Sequence, residues 1–361
     1  MRFLLVGDHR YPFYEEAFSS ALSGLGHDVE AFRISRYFDS AAGKLQARIP
    51  GWSAAALRAN AALLRTARQL RPEVILFWRA THVAPAIYRK LRDATGAFLV
   101  AYNNDDPFGQ TRAGAGAGWR RRAQWRWYLE SLPLVDLALV YRPVNRAEAL
   151  AAGAPRAEVL MPYFIPERDR PVDLTASERQ RFASDVTFAG HYEADGRVEH
   201  LAALARAGLH LRLFGGRYWT REVLGDLAGD LHPVEEAAGD DYTKALCGAK
   251  MSLCFLSRLN RDSYTRRCFE IPACGSLLLS ERTAELRKLF REDEEAVFFS
   301  SPEELVEKAL WLKADPEARD RIAAAGRRRV LADGHAVQDR AREFLGMLGE
   351  AASREPSVGA A

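Results

Sequence analysis

Two successive series of short apolar runs, each alternating with longer amphipathic stretches, constrain the fold more than any other feature. Strands interspersed with helices and buried on both faces are typical of a parallel sheet covered by helices. The sequence therefore predicts an α/β protein with two Rossmann-like, doubly wound domains. The predicted strands are 3–6, 74–78, 98–102 and 137–141 in the first series, and 186–189, 211–214, 251–256, 277–279 and 297–299 in the second.

A proline-rich polar stretch separates the two series and sets the predicted domain boundaries. Pro162, Pro166 and Pro171 interrupt both helix and strand, as in an interdomain linker. Two such domains are expected to face each other across a cleft, with ligands bound beyond the carboxyl ends of the strands. The predicted segments are a first domain at 1–165, a linker at 166–183, a second domain at 184–334, a terminal helix at 335–348 and a disordered tail at 349–361.

Charge and apolar patterning exclude several classes of protein. The chain has 51 Lys and Arg against 48 Asp and Glu, a net charge of +3, without the basic excess of a dedicated nucleic-acid binder. No stretch reaches the roughly 18 apolar residues of a membrane span, and the apolar run at 3–6 is too short for a signal-peptide core. The cysteines lack paired spacing and have apolar neighbours, which predicts reduced, buried thiols in a cytoplasmic protein. They are Cys247, Cys254, Cys268 and Cys274.

The segment 258–281 contains the most informative motif. It follows a predicted strand, so its polar side chains emerge at a carboxyl end, and its arginines cluster near the start of a helix with unpaired N–H groups. Such a combination suits a diphosphate, and Glu270, four residues after Arg266, suits the hydroxyls of a ribose. From composition alone, ion pairing of these arginines with Asp262, Glu270 and Glu281 on a solvated surface is an open alternative.

This segment resembles the C-terminal motif of group 1 glycosyltransferases of the GT-B fold, and most closely the branch related to spore maturation proteins. The likeness extends over 184–345 and, more loosely, over the N-terminal half. It implies an enzyme that moves a sugar from a nucleoside diphosphate donor of the UDP, GDP or dTDP type to a hydroxyl of a glycan, protein or small molecule. The matching residues are Arg261, Asp262, Thr265, Arg267, Phe269, Glu270, Ile271, Pro272, Ala273 and Gly275.

The resemblance also assigns roles within the motif. The wider family has two acidic residues eight apart, matched here by Asp262 and Glu270. Glu270 then holds the ribose, and Asp262 faces the donor sugar or phosphate, although aspartate is one methylene shorter than the family's glutamate. Arginines and helix ends replace a divalent ion in such enzymes, so neither a metal nor a cofactor is expected. Arg267 is the main diphosphate candidate, followed by Arg266 and Arg261, and Thr265 is a further residue expected to bind the donor nucleotide sugar.

Two glycine loops of the second domain fit the same picture. Gly190 and His191 follow its first strand, and Gly215 and Arg217 follow the next. Glycine at these places lets backbone N–H groups approach a phosphate. Arg217 or the nearby Trp219 is a candidate nucleotide contact, while a packing role for the tryptophan is equally compatible with the sequence.

The first domain supplies candidates for the acceptor side and for a catalytic base. His9 follows the first strand and has a side chain whose pKa lies near neutrality, although a structural histidine is an alternative. Asp105 and Asp106 follow another strand, where either a base or an Asx-type turn is compatible with the pattern. Candidates for the wall of the acceptor pocket are Trp78, Arg79 and His82.

Two neighbouring segments complete the predictions. The segment 109–118 is rich in glycine and alanine and is expected to form a mobile flap. The segment 119–128 interleaves arginines with aromatic residues, which suits a sugar, an anionic acceptor or the surface of a membrane, but also a helix with its aromatics inward. The main alternative to a glycosyltransferase is a non-catalytic GT-B-like scaffold that binds a nucleotide or a glycan.

Overall fold

The computed structural model describes residues 1–47, 53–111 and 118–352, which form two compact α/β units. The first unit comprises Met1–Met161 together with the C-terminal segment from Val337, and the second comprises Pro162–Ala336. The prediction of two α/β domains with parallel sheets is confirmed. In this division the predicted linker 166–183 is part of the second unit.

The first unit contains a six-stranded sheet in the order β2-β1-β3-β4-β5-β6, and all its strand pairs are parallel. Aliphatic and aromatic side chains of these strands and of the covering helices form one core. The strands are β1 Arg2–Gly7, β2 Asp28–Arg33, β3 Val74–Trp78, β4 Phe98–Asn103, β5 Leu137–Val140 and β6 Ala157–Val159.

The helices of the first unit lie between these strands. The longest begins where the Ser53 side chain accepts a hydrogen bond from the Ala56 N–H, and the helix before β4 ends at Gly96, whose φ of +68° suits glycine. The helices are α1 Ala17–Gly24, α2 Ala41–Ala47, α3 Ala54–Leu70, α4 Pro85–Thr95, α5 Pro107–Thr111, α6 Trp119–Ser131 and α7 Pro143–Ala151.

The second unit contains a five-stranded parallel sheet in the order β11-β10-β9-β7-β8. Its strands are β7 Ser184–Ala189, β8 Leu211–Phe214, β9 Ala249–Cys254, β10 Leu277–Glu281 and β11 Val297–Phe299. Its helices are α8 Ala176–Phe182, α9 Arg197–Arg206, α10 Arg221–Leu224, α11 Ala228–Leu231, α12 Asp240–Gly248, α13 Arg267–Ala273, α14 Leu286–Leu289, α15 Pro302–Ala314 and α16 Pro316–Ala332. The last helix, α17 Val337–Ala352, returns to the first unit.

Every predicted strand is present, and the differences lie at the edges of the first sheet. The edge strands β2 and β6 were not predicted, because β2 buries only Phe32 fully and has no apolar run. The predicted linker is instead packed: Leu174 and Phe182 are buried within the second unit. The terminal helix joins the first unit because Phe344 is buried there against Phe18, with ring centroids 5.7 Å apart.

The aromatic residues of α6 point inward. Trp125, Trp127 and Tyr128 are buried in the core of the first unit, whereas Trp119 is 63% exposed. This arrangement matches the amphipathic-helix interpretation and leaves three of the four aromatics unable to contact a membrane or a sugar. The predicted flap 109–118 and tail 349–361 lie partly outside the described residues, at 112–117 and 353–361. No described helix has both the length and the hydropathy needed to cross a bilayer.

Candidate functional site

The carboxyl ends of β7, β8 and β9 meet at one edge of the second sheet, because β7 lies between the other two strands. The loops that follow these strands carry Gly190, Gly215 and the segment 255–266, which leads into α13. In open α/β sheets this edge is where ligands bind. The sequence motif and the two predicted glycine loops therefore belong to the same edge.

Glu270 lies in the first turn of α13 and is only 1% exposed. Its Oε1 lies 2.9 Å from Arg266 Nη2 and also pairs with the guanidinium of Arg168. Its Oε2 accepts a hydrogen bond from the Tyr242 hydroxyl at 3.0 Å. Both carboxylate oxygens are thus engaged by cationic or hydroxyl donors from three separate parts of the second unit.

The charge of this cluster follows from its arginines. Burial by itself raises the pKa of Glu270, but the guanidinium groups of Arg266, Arg168 and Arg267 outweigh it and hold the pKa below the ordinary 4.5. Glu270 is therefore a carboxylate at neutral pH. Arg168 also forms a bidentate ion pair with Asp169. Its Nε donates to Asp169 Oδ1 at 2.7 Å, and its Nη2 donates to Asp169 Oδ2 at 2.9 Å.

Arg267 is hydrogen-bonded to the end of β7, and its side chain passes over a glycine. Its Nε donates a hydrogen bond to the Ala189 carbonyl oxygen at 2.7 Å. A Cβ at Gly190 would lie 2.9 Å from Arg267 Nη2 and 2.8 Å from Phe188 Cζ, so a larger residue would displace the guanidinium. Glycine leaves room for the charged side chain that crosses it, because an added Cβ would force the Arg267 side chain or the Phe188 ring to shift.

Gly215 is required for a second close approach. The Trp219 Nε1–H donates to the Gly190 carbonyl oxygen at 2.8 Å, which ties the two glycine loops together. A Cβ at Gly215 would lie only 2.1 Å from that oxygen and 2.6 Å from Trp219 Nε1. Trp219 is accordingly a buried packing residue, and the glycine loops contact each other directly.

The remaining residues predicted to bind the sugar donor lie around these loops. His191 is exposed, with Nε2 3.2 Å from Glu193 Oε1, and the guanidinium of Arg217 lies 5.4 Å from the ring of Tyr218. Thr265 starts α13 through its carbonyl oxygen, which accepts from the Cys268 N–H at 3.0 Å.

The first acidic position of the motif has a different environment from the second. Asp262 Oδ2 accepts a hydrogen bond from the Ser257 N–H at 3.3 Å, and its own N–H donates to the Ser257 carbonyl oxygen at 2.9 Å. The preceding Arg261 has a φ of +51° within the same turn. Asp262 therefore closes the loop after β9, whereas Glu270 organises the arginines.

Sequence reasoning missed several polar residues of this edge. Arg168 was assigned to the linker, and it lies 102 positions from its partner Glu270. Glu193 accepts from the Ser257 hydroxyl at 2.7 Å, and Arg197 donates to the His191 carbonyl oxygen at 2.6 Å. The one available signal was the adjacent Arg168 and Asp169 in an otherwise proline-rich stretch. The missed residues are Arg168, Asp169, Tyr242, Glu193 and Arg197.

In the first unit, the two predicted aspartates differ sharply. Asp106 is completely buried, and its Oδ1 accepts from the Gly109 N–H at 2.8 Å and from Asn145 Nδ2 at 2.9 Å. It caps the start of α5, which matches the Asx-turn alternative, and its role as a catalytic base stays a prediction. Asp105 forms an ion pair with Arg79, whose pKa is raised because the carboxylate outweighs the effect of burial.

The other predicted acceptor-side residues are largely enclosed. Trp78 is 2% exposed, with its ring centroid 4.4 Å from that of Tyr102, so it is a core residue and not a pocket wall. The His82 ring lies 4.6 Å from Phe38, and burial lowers its pKa. Burial also lowers the pKa of the half-buried His9.

Within 1–47, 53–111 and 118–352, no three or more His, Cys, Asp and Glu residues are grouped so as to hold a metal ion. The charged groups that converge at the second-unit edge are therefore mainly arginines with their carboxylate partners.

Comparison with solved structures shows the fold. Sucrose-phosphate synthase from Thermosynechococcus elongatus matches with a TM-score of 0.73 at 14% identity, covering 98% of this chain and 100% of that one. HepE from Anabaena in complex with UDP and glucose matches with a TM-score of 0.68 at 12% identity, over 97% and 100%. The E. coli structure described as trehalose-6-phosphate bound with UDP-2-fluoro glucose gives 0.64 at 13%, over 96% and 99%.

Comparison by sequence finds one family model that matches part of the chain. No curated protein matches the chain. Residues 197–346 match the family model described as glycosyl transferase-like, a span that includes β8 to β11 and the whole Glu270 motif. The expectation of a glycosyltransferase is confirmed at this level. Residues 197–346 are thus similar to the glycosyl transferase-like family, within a chain that has the GT-B fold.

Proposed function

We propose that the second unit binds a UDP-type nucleotide sugar and that the chain transfers the sugar to an acceptor hydroxyl. The observation that carries the proposal is the convergence of Arg168, Arg266 and Arg267 on Glu270 at the carboxyl edge of the sheet. The choice of UDP is supported by the structures of HepE with UDP-glucose and of the E. coli protein with UDP-2-fluoro glucose. The motif further supports a place in the branch related to spore maturation proteins.

Arg267 and Arg266 are the proposed diphosphate ligands. Guanidinium groups form short, charge-assisted hydrogen bonds with phosphate oxygens and stabilise the negative charge that develops on a leaving diphosphate. Arg267 is already fixed by Ala189 and by its passage over Gly190, so little ordering is needed on binding. His191, Gly215 and Arg217 are proposed to line the rest of the nucleotide site.

Glu270 is the proposed ribose ligand, and the side chains that already contact its carboxylate restrict how a ribose can reach it. Because the Glu270 side chain is only 1% exposed and Arg168, Arg266 and Tyr242 surround its oxygens, we expect a ribose hydroxyl to displace one of these donors when it reaches the carboxylate. An arginine released in this way is free to turn toward the diphosphate. Ribose and diphosphate binding are therefore coupled in this proposal, through the same carboxylate.

His9 is the proposed base on the acceptor side. Burial lowers its pKa, so the imidazole is neutral at pH 7 and able to accept a proton. With Nε2 3.4 Å from the Leu5 carbonyl oxygen, the tautomer protonated at Nε2 leaves Nδ1 as the acceptor. Asp106 is occupied as a helix cap and Asp105 by Arg79, which makes both aspartates poorer candidates. The acceptor is proposed to be a glycan, a protein or a small molecule with a free hydroxyl.

A calorimetric titration with UDP, GDP and dTDP, and with their glucose conjugates, tests the donor site. The wild type should bind the uridine series most tightly, and Arg267→Ala should weaken that binding about tenfold or more because it removes a charge-assisted contact. Arg206→Ala, at an exposed position in the last turn of α9, is the matched control. Absence of binding to every nucleotide contradicts the proposal, and binding without sugar transfer to any acceptor supports the scaffold alternative.

A further inference from the structure

The helices α12 and α13 are connected at two points that lie at opposite ends of the helices. Near the start of α12, Tyr242 donates to Glu270 of α13 at 3.0 Å. At the end of α12, the Cys247 thiol donates a hydrogen bond to the carbonyl oxygen of Cys274, the residue that follows α13, at 3.4 Å. One pair of helices therefore carries both the donor-site carboxylate and a pair of cysteines.

A cavity of about 410 Å³ gives access to these cysteines. Both thiol residues line it, together with Pro171, Lys250 and Arg319. Since Ala249 and Leu277 also line it, the cavity lies at the amino ends of β9 and β10, the edge opposite the arginine cluster. Cys247 is half-buried and Cys274 is buried, so a small molecule in the cavity meets Cys247 first.

The second cysteine pair lacks this access. Cys254 and Cys268 have their sulfurs 3.7 Å apart, but both side chains are completely buried in the core of the same unit. The two pairs also differ in acidity, since the pKa of Cys247 lies below its ordinary value whereas that of Cys254 lies well above it. The neighbouring Cys274 side chain lowers the pKa of Cys247, while the same pairing and burial raise the pKa of Cys274. A more acidic, accessible thiol beside a buried partner is the arrangement of an attacking and a resolving cysteine.

We propose that Cys247 and Cys274 form a redox-active dithiol, which a hydroperoxide entering the cavity oxidises to a disulfide. The Cys247 thiolate attacks the distal peroxide oxygen, the O–O bond breaks, and a sulfenic acid and an alkoxide or hydroxide form. The Cys274 sulfur then attacks Cys247 Sγ, the S–S bond forms and water leaves. The alkoxide or hydroxide takes up the proton that Cys247 gave up on ionising, so two thiols are oxidised and one peroxide is reduced.

The disulfide is placed to influence the donor site. Cys247 also lies 3.8 Å from the carbonyl oxygen of Arg170, and the Thr243 hydroxyl donates to the carbonyl oxygen of Arg168 at 3.2 Å. Bond formation would draw the ends of α12 and α13 together and shift Tyr242 and Arg168 relative to Glu270. This coupling, unlike the oxidation itself, rests on the proposed nucleotide site, and it predicts weaker UDP binding by the oxidised protein.

Peptide mass spectrometry after graded hydrogen peroxide treatment tests the dithiol without reference to activity. A disulfide-linked peptide pair containing Cys247 and Cys274, two hydrogens lighter than the reduced pair, should form about tenfold faster than any link between Cys254 and Cys268. Cys247→Ser should abolish it, and Cys268→Ser, the control from the other pair, should not. Because a serine variant can misfold, Cys247→Ala is made in parallel and both are checked by thermal melting.

Two outcomes overturn the proposal. The dithiol is excluded if peroxide leaves all four thiols reduced, or if the Cys254–Cys268 link forms first. The coupling is excluded if the fully oxidised wild type binds UDP as tightly as the reduced protein, since UDP binding weaker by about fivefold or more is expected. A reduced protein that never binds UDP contradicts the nucleotide site but leaves the mass-spectrometric test of the dithiol intact.

Discussion

The hydroxyl of Tyr242 donates a hydrogen bond to Glu270 Oε2 at 3.0 Å and links α12 to α13. Burial, and then the charge of Glu270, raise the pKa of Tyr242 well above 10, so the phenol keeps its proton and remains a donor. With Arg168 and Arg266 on the other oxygen, the carboxylate is held from both sides. The position of Glu270 is thus set by residues far from it in sequence.

Replacing Tyr242 with phenylalanine removes this donor and little else. A hydrogen bond to a charged group contributes about 1.5–3 kcal/mol, so urea unfolding should show a loss of that size. The control is Tyr218→Phe, which removes the hydroxyl of a tyrosine that is 52% exposed and should change stability little. Equal stability of the two variants would contradict a structural role for the Tyr242–Glu270 contact.

Glu270→Gln tests the charge of the cluster through its pH dependence. Because the nearby guanidinium groups lose their carboxylate partner, the free energy of unfolding should fall by about 3–5 kcal/mol at pH 7. The folded pKa of Glu270 is below its ordinary 4.5, so the advantage of the wild type is fully present above that pH and disappears as the pH falls through the folded pKa. Urea midpoints of both proteins between pH 7 and 3 measure this. If the difference between the urea midpoints of the wild type and Glu270→Gln stays constant with pH, the carboxylate charge of Glu270 does not stabilise the cluster.

Gly190→Ala tests the placement of Arg267. The new methyl group would lie within 3 Å of the Arg267 guanidinium and of Phe188, so the arginine must move and UDP affinity should fall about tenfold or more. Gly229→Ala is the control, because a Cβ there meets nothing within 4 Å. Calorimetric titration with UDP compares the two variants. If Gly190→Ala binds UDP as tightly as the wild type, Arg267 is not a ligand of the donor.

Asp106→Ala should affect stability and not chemistry. Loss of a helix cap costs about 0.5–2 kcal/mol, so the variant should unfold at lower urea. If Asp106 were the base, kcat would instead fall by about 10²–10⁴. Turnover measured well below the unfolding transition separates the two roles, and a fall in kcat of that size would restore Asp106 as the base.

His9→Ala should slow turnover about 100-fold with little change in the KM for the donor, because it removes a proton acceptor. Since burial holds the pKa of His9 below 6.5, wild-type kcat should be flat above pH 6.5 and decline as the pH falls through that lower pKa. The variant should lack this decline. Its persistence in His9→Ala would assign the titration to another group.

The sequence predicted the fold well where the periodicity was strong. Short apolar runs followed by amphipathic stretches became strands and helices, because a strand buried on both faces needs a continuous apolar run, which is visible in the sequence. Polar edge strands such as β2 escaped detection, since one buried residue makes no pattern. The segment around Arg168 looked like a linker because proline and charge dominate it locally, although its charged residues pack against Glu270.

The amino-acid sequence alone determined the two α/β domains and the arginine-rich motif with Glu270, since both depend on residues that are neighbours in the chain. Tertiary structure decided which charged side chains form ion pairs with one another and which have a structural role such as capping a helix. Asp105 and Asp106 are adjacent in sequence, yet one forms an ion pair with Arg79 and the other caps a helix. Arg168 reaches Glu270 across 102 positions. Pairing and burial of ionisable groups depend on distances in space, which local sequence patterns do not encode.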